Sequence, residues 1–127
     1  NGVLIFAPEG AYGNDGITHG AMFGVHRSNT NNIQSASREY IEGMMQANPY
    51  LRARTNMNRA TVAGRSGYSM VLTGTSPITN RTEQVTIYTT PLRNGGILYI
   101  AAVSPESEAS RYSAAFRNMI SSIRIND

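Results

Sequence analysis

Apolar and polar residues are distributed along the first part of this chain in a way that predicts two strands. Val3–Ala7 is a short apolar run that ends at Pro8, which is typical of a strand. Thr18–Arg27 alternates between larger apolar residues and small or polar ones, and this period of two predicts a strand with one face buried. The glycine-rich segment 10–16 between them predicts a mobile loop.

A helical period replaces this alternation after the capping residue types at 28–32. The apolar face of the predicted helix comprises Ile33, Ala36, Tyr40, Ile41, Met44 and Met45. The helix should end near Asn48, because Pro49 disfavours α geometry in the residue before it and Asn tolerates a left-handed cap.

A second helix is predicted at the end of the chain. Ser104–Glu108 should open it, since Pro105 suits a first turn and two acids lie near the positive end of the helix dipole. Its apolar face comprises Ala109, Tyr112, Phe116, Met119, Ile120 and Ile123.

Between the two helices the chain predicts an antiparallel meander. Its β-branched and aromatic strands are Tyr68–Thr75, Gln84–Thr90 and Ile97–Val103. Asn94–Gly96 favours a tight reversal, and Tyr50–Met57 is a polar connection or an edge strand. We therefore expect one α+β domain over residues 1–127, a twisted antiparallel sheet flanked by two helices.

Composition limits the class of protein. A chain of 127 residues with 40% apolar and 15% charged residues can form one globular core, and no apolar run approaches the roughly 20 residues of a membrane span. The absence of cysteine excludes disulfides and thiolate chemistry. Because Asn1–Ala7 enters a strand without an initiator Met, we expect a domain excised from a longer precursor.

The charge pattern does not indicate a nucleic-acid partner. The net charge is +3, and all eleven basic residues are arginines spread along the chain. Arg52, Arg54 and Arg59 form the only local cluster, whereas nucleic-acid binders concentrate basic residues on one face.

Metal sites are not expected. His19 and His26 are seven residues apart on one predicted strand, so their side chains should point to opposite faces. Glu9 and Asp15 nearby are too few for a convincing zinc or calcium site, and no H-E-x-x-H motif is present. We expect no cofactor.

Serine-based hydrolysis is the remaining enzymatic hypothesis. Ser66 or Ser69 with His26 would have to supply it, but the G-x-S-x-G pattern is missing and the segment precedes a strand, not a helix. A turn that leads into a strand is the preferred interpretation.

A binding surface is the other candidate. Tyr68, Tyr88 and Tyr99 lie one on each strand of the meander, and with Arg52, Arg54 and Arg59 they are candidate ligand contacts, although cross-strand packing would also place tyrosines there. A small apolar or anionic ligand would then occupy a cleft between the sheet and a helix.

Three segments carry a resemblance to a known family. They are "RATVAGRSGYSMVLTGTSP", "TEQVTIYTTPLRNGGILYIAAVSPESE" and "YSAAFRNMISSIRI". Together they resemble the non-catalytic domain that follows the catalytic region of bacterial HtpX-like zinc metallopeptidases, which have a CAAX-prenyl-protease type of catalytic domain.

The resemblance implies a PsbP-like fold and an accessory or interaction role, with the zinc site in a catalytic domain outside this chain. The implied partner is that catalytic domain or a protein substrate, and the implied compartment is the bacterial periplasm or cell envelope. The similar segments are packing and turn motifs, so they carry over no catalytic residue.

Overall fold

The computed structural model describes residues 4–6, 12–13, 16–17, 20–28 and 30–125. The strands in chain order are β1 (Leu4–Phe6), β2 (Tyr12–Gly13), β3 (Gly16–Ile17), β4 (Gly20–His26), β5 (Arg52–Ala53), β6 (Asn58–Val62), β7 (Arg65–Thr75), β8 (Thr82–Pro91) and β9 (Ile97–Pro105). The helices are α1 (Ile33–Ala47) and α2 (Ala109–Ser122). Within these residues no helix is long and apolar enough to cross a membrane.

One antiparallel sheet of seven strands dominates the described part of the chain. Its order is β1-β4-β9-β8-β7-β5, and β6 pairs with β7 beside β5. The three longest strands, β7, β8 and β9, form the predicted meander, and helices lie on both faces. The fold is therefore α+β, which confirms the fold class expected from the sequence.

The outer hairpin of this sheet was not predicted. β6 and the first residues of β7 are joined by Ala63 and Gly64, whose φ angles of 54° and 77° are both left-handed. A two-residue turn with two positive φ angles matches the twist of paired strands, which is why glycine suits the second position. The prediction began this strand at Tyr68, three residues late.

Helix α1 covers one face of the sheet with most of its predicted apolar residues. The side chain of Asn32 accepts a hydrogen bond of 3.0 Å from the backbone N–H of Ser35 and caps the helix. At the other end the backbone N–H of Asn48 bonds to the carbonyl of Met44. The predicted helix end is correct, but φ of Asn48 is −129°, so the expected left-handed cap is wrong.

Helix α2 covers part of the opposite face. β9 continues to Pro105, which pairs with Glu83, and a 3₁₀ turn over Glu106–Glu108 precedes the helix. The prediction that Ser104–Glu108 opens the helix is therefore wrong, because Ser104 and Pro105 end β9 and the α-helix begins only after the 3₁₀ turn. Ile120 is the buried contact of α2, in a cluster with Val62 and Ile100.

The glycine-rich segment contains regular structure in the residues that the structure describes. β2 and β3 pair as a short antiparallel hairpin, so the prediction of a loop is wrong for Tyr12, Gly13 and Gly16. The remaining residues of this segment, with Val3, Ala7 and His19, lie outside the described residues.

Candidate binding cleft

The three candidate tyrosines do not share one surface. Residues directly opposite each other in paired strands project to the same face. Tyr68 pairs with Thr89 and Thr89 with Tyr99, which places them on the face that α1 covers, hereafter the α1 face. Tyr88 is one residue from Thr89 and projects to the opposite face, hereafter the α2 face. The predicted tyrosine stripe is thus divided between the two faces.

On the α1 face the tyrosines pack within the fold. The ring of Tyr99 stacks on Tyr40 of α1 with centroids 4.1 Å apart, and it lies over Gly24, where a Cβ would have no room. Tyr68 is half-buried beneath Arg59, whose guanidinium carbon is 6.0 Å from the ring centroid. This arrangement favours the packing interpretation for Tyr68 and Tyr99.

The three candidate arginines do not share one face, because Arg59 is apart from Arg52 and Arg54. Arg59 lies on the α1 face over Tyr68, whereas Arg52 pairs opposite Thr73 on the α2 face at the sheet edge. Arg54 donates to Gln84 at 3.0 Å and forms an ion pair of 2.6 Å with Glu106. Their closeness in sequence does not produce one basic patch.

The α2 face instead contains a cleft. The cleft lies between helix α2 and the strands that this helix does not cover. A larger cavity of about 600 Å³ lies between the β6–β7 turn and Arg117, Asn118, Ile120 and Ser121 of α2. A smaller cavity of about 100 Å³ continues under α2 beside Phe116. Tyr88 and Arg117 line both cavities, so we treat the two as one site, the α2 cleft.

The charge of the α2 cleft is positive and unbalanced. Among the residues that the structure describes, no acidic side chain lines either cavity and none forms an ion pair with Arg117. Burial raises the pKa of the Tyr88 hydroxyl, and the nearby positive charge of Arg117 opposes that rise. Tyr88 therefore remains a neutral hydroxyl donor beside a fixed cation.

A comparable cleft on the α1 face differs in its electrostatics. It has a volume of about 340 Å³ and is lined by Met45, Met57 and Met70 with Arg38 and Glu42 at its rim. Both signs of charge are present there, so it has no preference for an anion or a cation.

The hydrolase hypothesis finds no support in the positions of its residues. Ser66 is on β7 and His26 on β4, with β8 and β9 between them, a separation of roughly 14 Å at the usual strand spacing. Ser69 pairs with Tyr88 on the α2 face, whereas His26 contacts Tyr40 of α1. Neither serine is within hydrogen-bonding reach of the histidine.

His26 has a partner of another kind. Its Nε2 lies 2.7 Å from Oε1 of Glu39, and the Ser28 hydroxyl donates to the other carboxylate oxygen at 3.3 Å. No group of three His, Asp or Glu side chains with metal-site geometry occurs in the described part of the chain. His19, the other predicted candidate, lies outside it.

Arg117 is the residue that the sequence analysis missed. A signal was available, because Arg117 adjoins Phe116 and precedes Ile120 by three residues, at the border of the apolar face of α2. A cation at the border of the apolar face lies next to the sheet, whereas a cation on the polar face of the helix would point away from the sheet.

Comparison with protein-family models gives no match for this chain, and comparison with curated proteins gives no similar sequence. The geometry of the α2 cleft is therefore the basis on which function is inferred.

Proposed function

We propose that this chain is a non-catalytic binding module whose ligand occupies the α2 cleft. The observation that carries the proposal is the placement of Tyr88 and Arg117 in one cleft that has no acidic neighbour among the described residues. A hydroxyl and a guanidinium beside apolar surface are typical of small-ligand sites, in which a few polar groups fix the orientation of the ligand.

The same contacts favour binding over catalysis. A hydrolytic site needs a nucleophile, a base within hydrogen-bonding reach and a group that orients the base. The α2 cleft offers serine hydroxyls, such as Ser113 and Ser121, but the latter already donates to the Asn118 carbonyl at 3.1 Å. Within the described ranges of the chain, no histidine or carboxylate lines the cleft to activate them.

NMR titration tests this proposal. A set of anionic, neutral and cationic small molecules should include compounds that shift backbone amides lining the α2 cleft, around Tyr88 and 117–121, more than those of α1. Saturable binding should also raise the melting temperature, because a ligand selective for the folded state stabilises it. Arg111→Gln, on the exposed side of the same helix, is the control variant and should bind these compounds as the wild type does. Shifts confined to the α1 face would contradict the proposal.

We propose further that the module serves a larger zinc metallopeptidase as an accessory domain with a PsbP-like fold. The resemblance of segments 59–77, 82–108 and 112–125 to such domains supports this, as does the observed α+β sheet with two helices. The partner would be the catalytic domain or its protein substrate in a bacterial envelope.

A protease assay tests that context from the side of catalysis. The isolated chain should not hydrolyse casein, with or without a zinc chelator. Hydrolysis that the chelator abolishes would place the metal site in this chain and contradict the assignment of an accessory role.

A further inference from the structure

The α2 cleft divides into a polar and an apolar part. Arg117, Asn118 and Ser121 lie along one side of α2 and provide the cation and neutral polar groups. Ile120, Ala63 and the ring of Tyr88 provide apolar surface next to them. A ligand that satisfies both parts must carry a polar group at one end and an apolar body at the other.

We propose that the α2 cleft binds an amphipathic carboxylate, with its carboxylate on Arg117 and its apolar chain over Tyr88 and Ile120. This inference rests on the proposed function, since it names the ligand class of the same site. The guanidinium presents paired N–H donors in a plane that matches the two oxygens of a carboxylate.

The sign and number of charges select this class over others. A cationic ligand would meet Arg117, and no acid among the described lining residues would offset the repulsion. A phosphate carries close to two charges and favours clusters of arginines, whereas the cleft has one. A single negative charge matches a single guanidinium.

The apolar part is required because Arg117 is exposed. An ion pair in contact with water contributes little by itself, commonly below about 1 kcal/mol. Removal of an alkyl chain from water must therefore supply most of the affinity. The larger cavity, about 600 Å³, has a volume within the range of small-molecule sites.

Four probes that vary charge and chain separately test the inference. Octanoate, octanol, octylammonium and acetate are titrated into ¹⁵N-labelled protein. Octanoate and octylammonium are kept below their micellar concentrations, and octanol is kept below its solubility limit. Octanoate should shift the amides of Tyr88, 117–121 and 61–64, and it should bind roughly threefold to fivefold tighter than octanol and tighter still than acetate or octylammonium.

Variants separate the carboxylate contact from general binding. Arg117→Gln should weaken octanoate roughly threefold to fivefold, as expected for the loss of an exposed ion pair, while its octanol affinity stays unchanged. Arg111→Gln, which alters a neighbouring exposed arginine paired with Glu108, should leave both affinities unchanged. Because Arg117 is exposed, its replacement should keep the fold, and the melting temperature of each variant checks this.

The outcomes distinguish the two proposals. Octanol bound as tightly as octanoate at the α2 cleft would overturn the carboxylate assignment and leave the binding function standing, and tighter binding of octylammonium would do the same. If no probe shifts these amides, both proposals fail. Octanoate binding that Arg117→Gln does not weaken would also overturn the inference.

Discussion

The hydrogen bond between Ser37 of α1 and Thr89 of β8 should stabilise the contact of that helix with the sheet. The two hydroxyl oxygens are 2.7 Å apart, and the residues are 0% and 1% exposed. Ser37→Ala removes one hydroxyl and leaves the other buried without this partner. A buried polar group in that condition costs about 1 to 3 kcal/mol.

The expected magnitude follows from two opposing effects. Alanine favours a helix over serine by roughly half a kcal/mol, which offsets part of the loss. We therefore expect Ser37→Ala to reduce the free energy of unfolding by about 1 to 2 kcal/mol. Replacing both partners, as Ser37→Ala with Thr89→Val, leaves no unpaired hydroxyl and should be close to neutral.

Urea unfolding followed by circular dichroism measures these differences. The wild type, both single variants and the double variant form a cycle, and its coupling energy should be at least about 1 kcal/mol. Ser121→Ala is a matched control in α2, since its exposed hydroxyl bonds only to the Asn118 carbonyl. A double variant whose loss equals the sum of the single losses would refute the pairing.

Three further predictions test packing and ionisation. Gly67→Ala should destabilise by more than about 3 kcal/mol in urea unfolding, because its Cβ would collide with the backbone carbonyl of Thr89; near-wild-type stability would contradict this contact. Gly43→Ala should stabilise α1 by about 0.5 to 1 kcal/mol in the same assay, because no neighbour lies near the new methyl group; a loss would contradict the open site. Burial raises the pKa of both Tyr40 and Tyr50 in the folded state, so stability should hold up to about pH 10 and then fall as the unfolded chain ionises first. Unfolding curves from pH 8 to 11 should show that the free energy of unfolding falls by up to about 1.4 kcal/mol per pH unit through Tyr40. A flat profile over this range would contradict the raised pKa of Tyr40.

Local signals in the sequence accounted for the helices and the long strands. The helical period from Ile33 and the proline at position 49 placed α1 correctly, since both act within a few residues. β8 and β9 were predicted because their residues are β-branched or aromatic and a glycine turn separates them. These features need no knowledge of distant neighbours.

β6 lacked such a signal. Its residues Asn58–Val62 are mostly polar, and they become a strand because β7 offers a partner beside a left-handed turn. The pairing of β4 with β9 is likewise a contact between residues 71 to 83 positions apart, which no local pattern specifies. Tertiary pairing decides such elements.

The candidate site was harder to predict than the fold because it depends on strand register. Whether Tyr88 shares a face with Tyr68 and Tyr99 changes with a shift of one residue in either hairpin. The sequence places these tyrosines on neighbouring strands but does not fix that register. Arg117 becomes a site residue only when α2 is known to lie over Tyr88.

The way α2 is attached explains why a cleft remains on its face. Among the described residues α1 contributes three buried side chains to the core, whereas α2 contributes Ile120 alone. The start of α2 is held by polar contacts, since Arg54 pairs with Glu106 and Arg81 with Glu108. A helix that fully buries one side chain, near its end, does not need to close on the sheet along its whole length. The space beside Tyr88 can therefore persist in the folded protein without exposing the larger core on the other face.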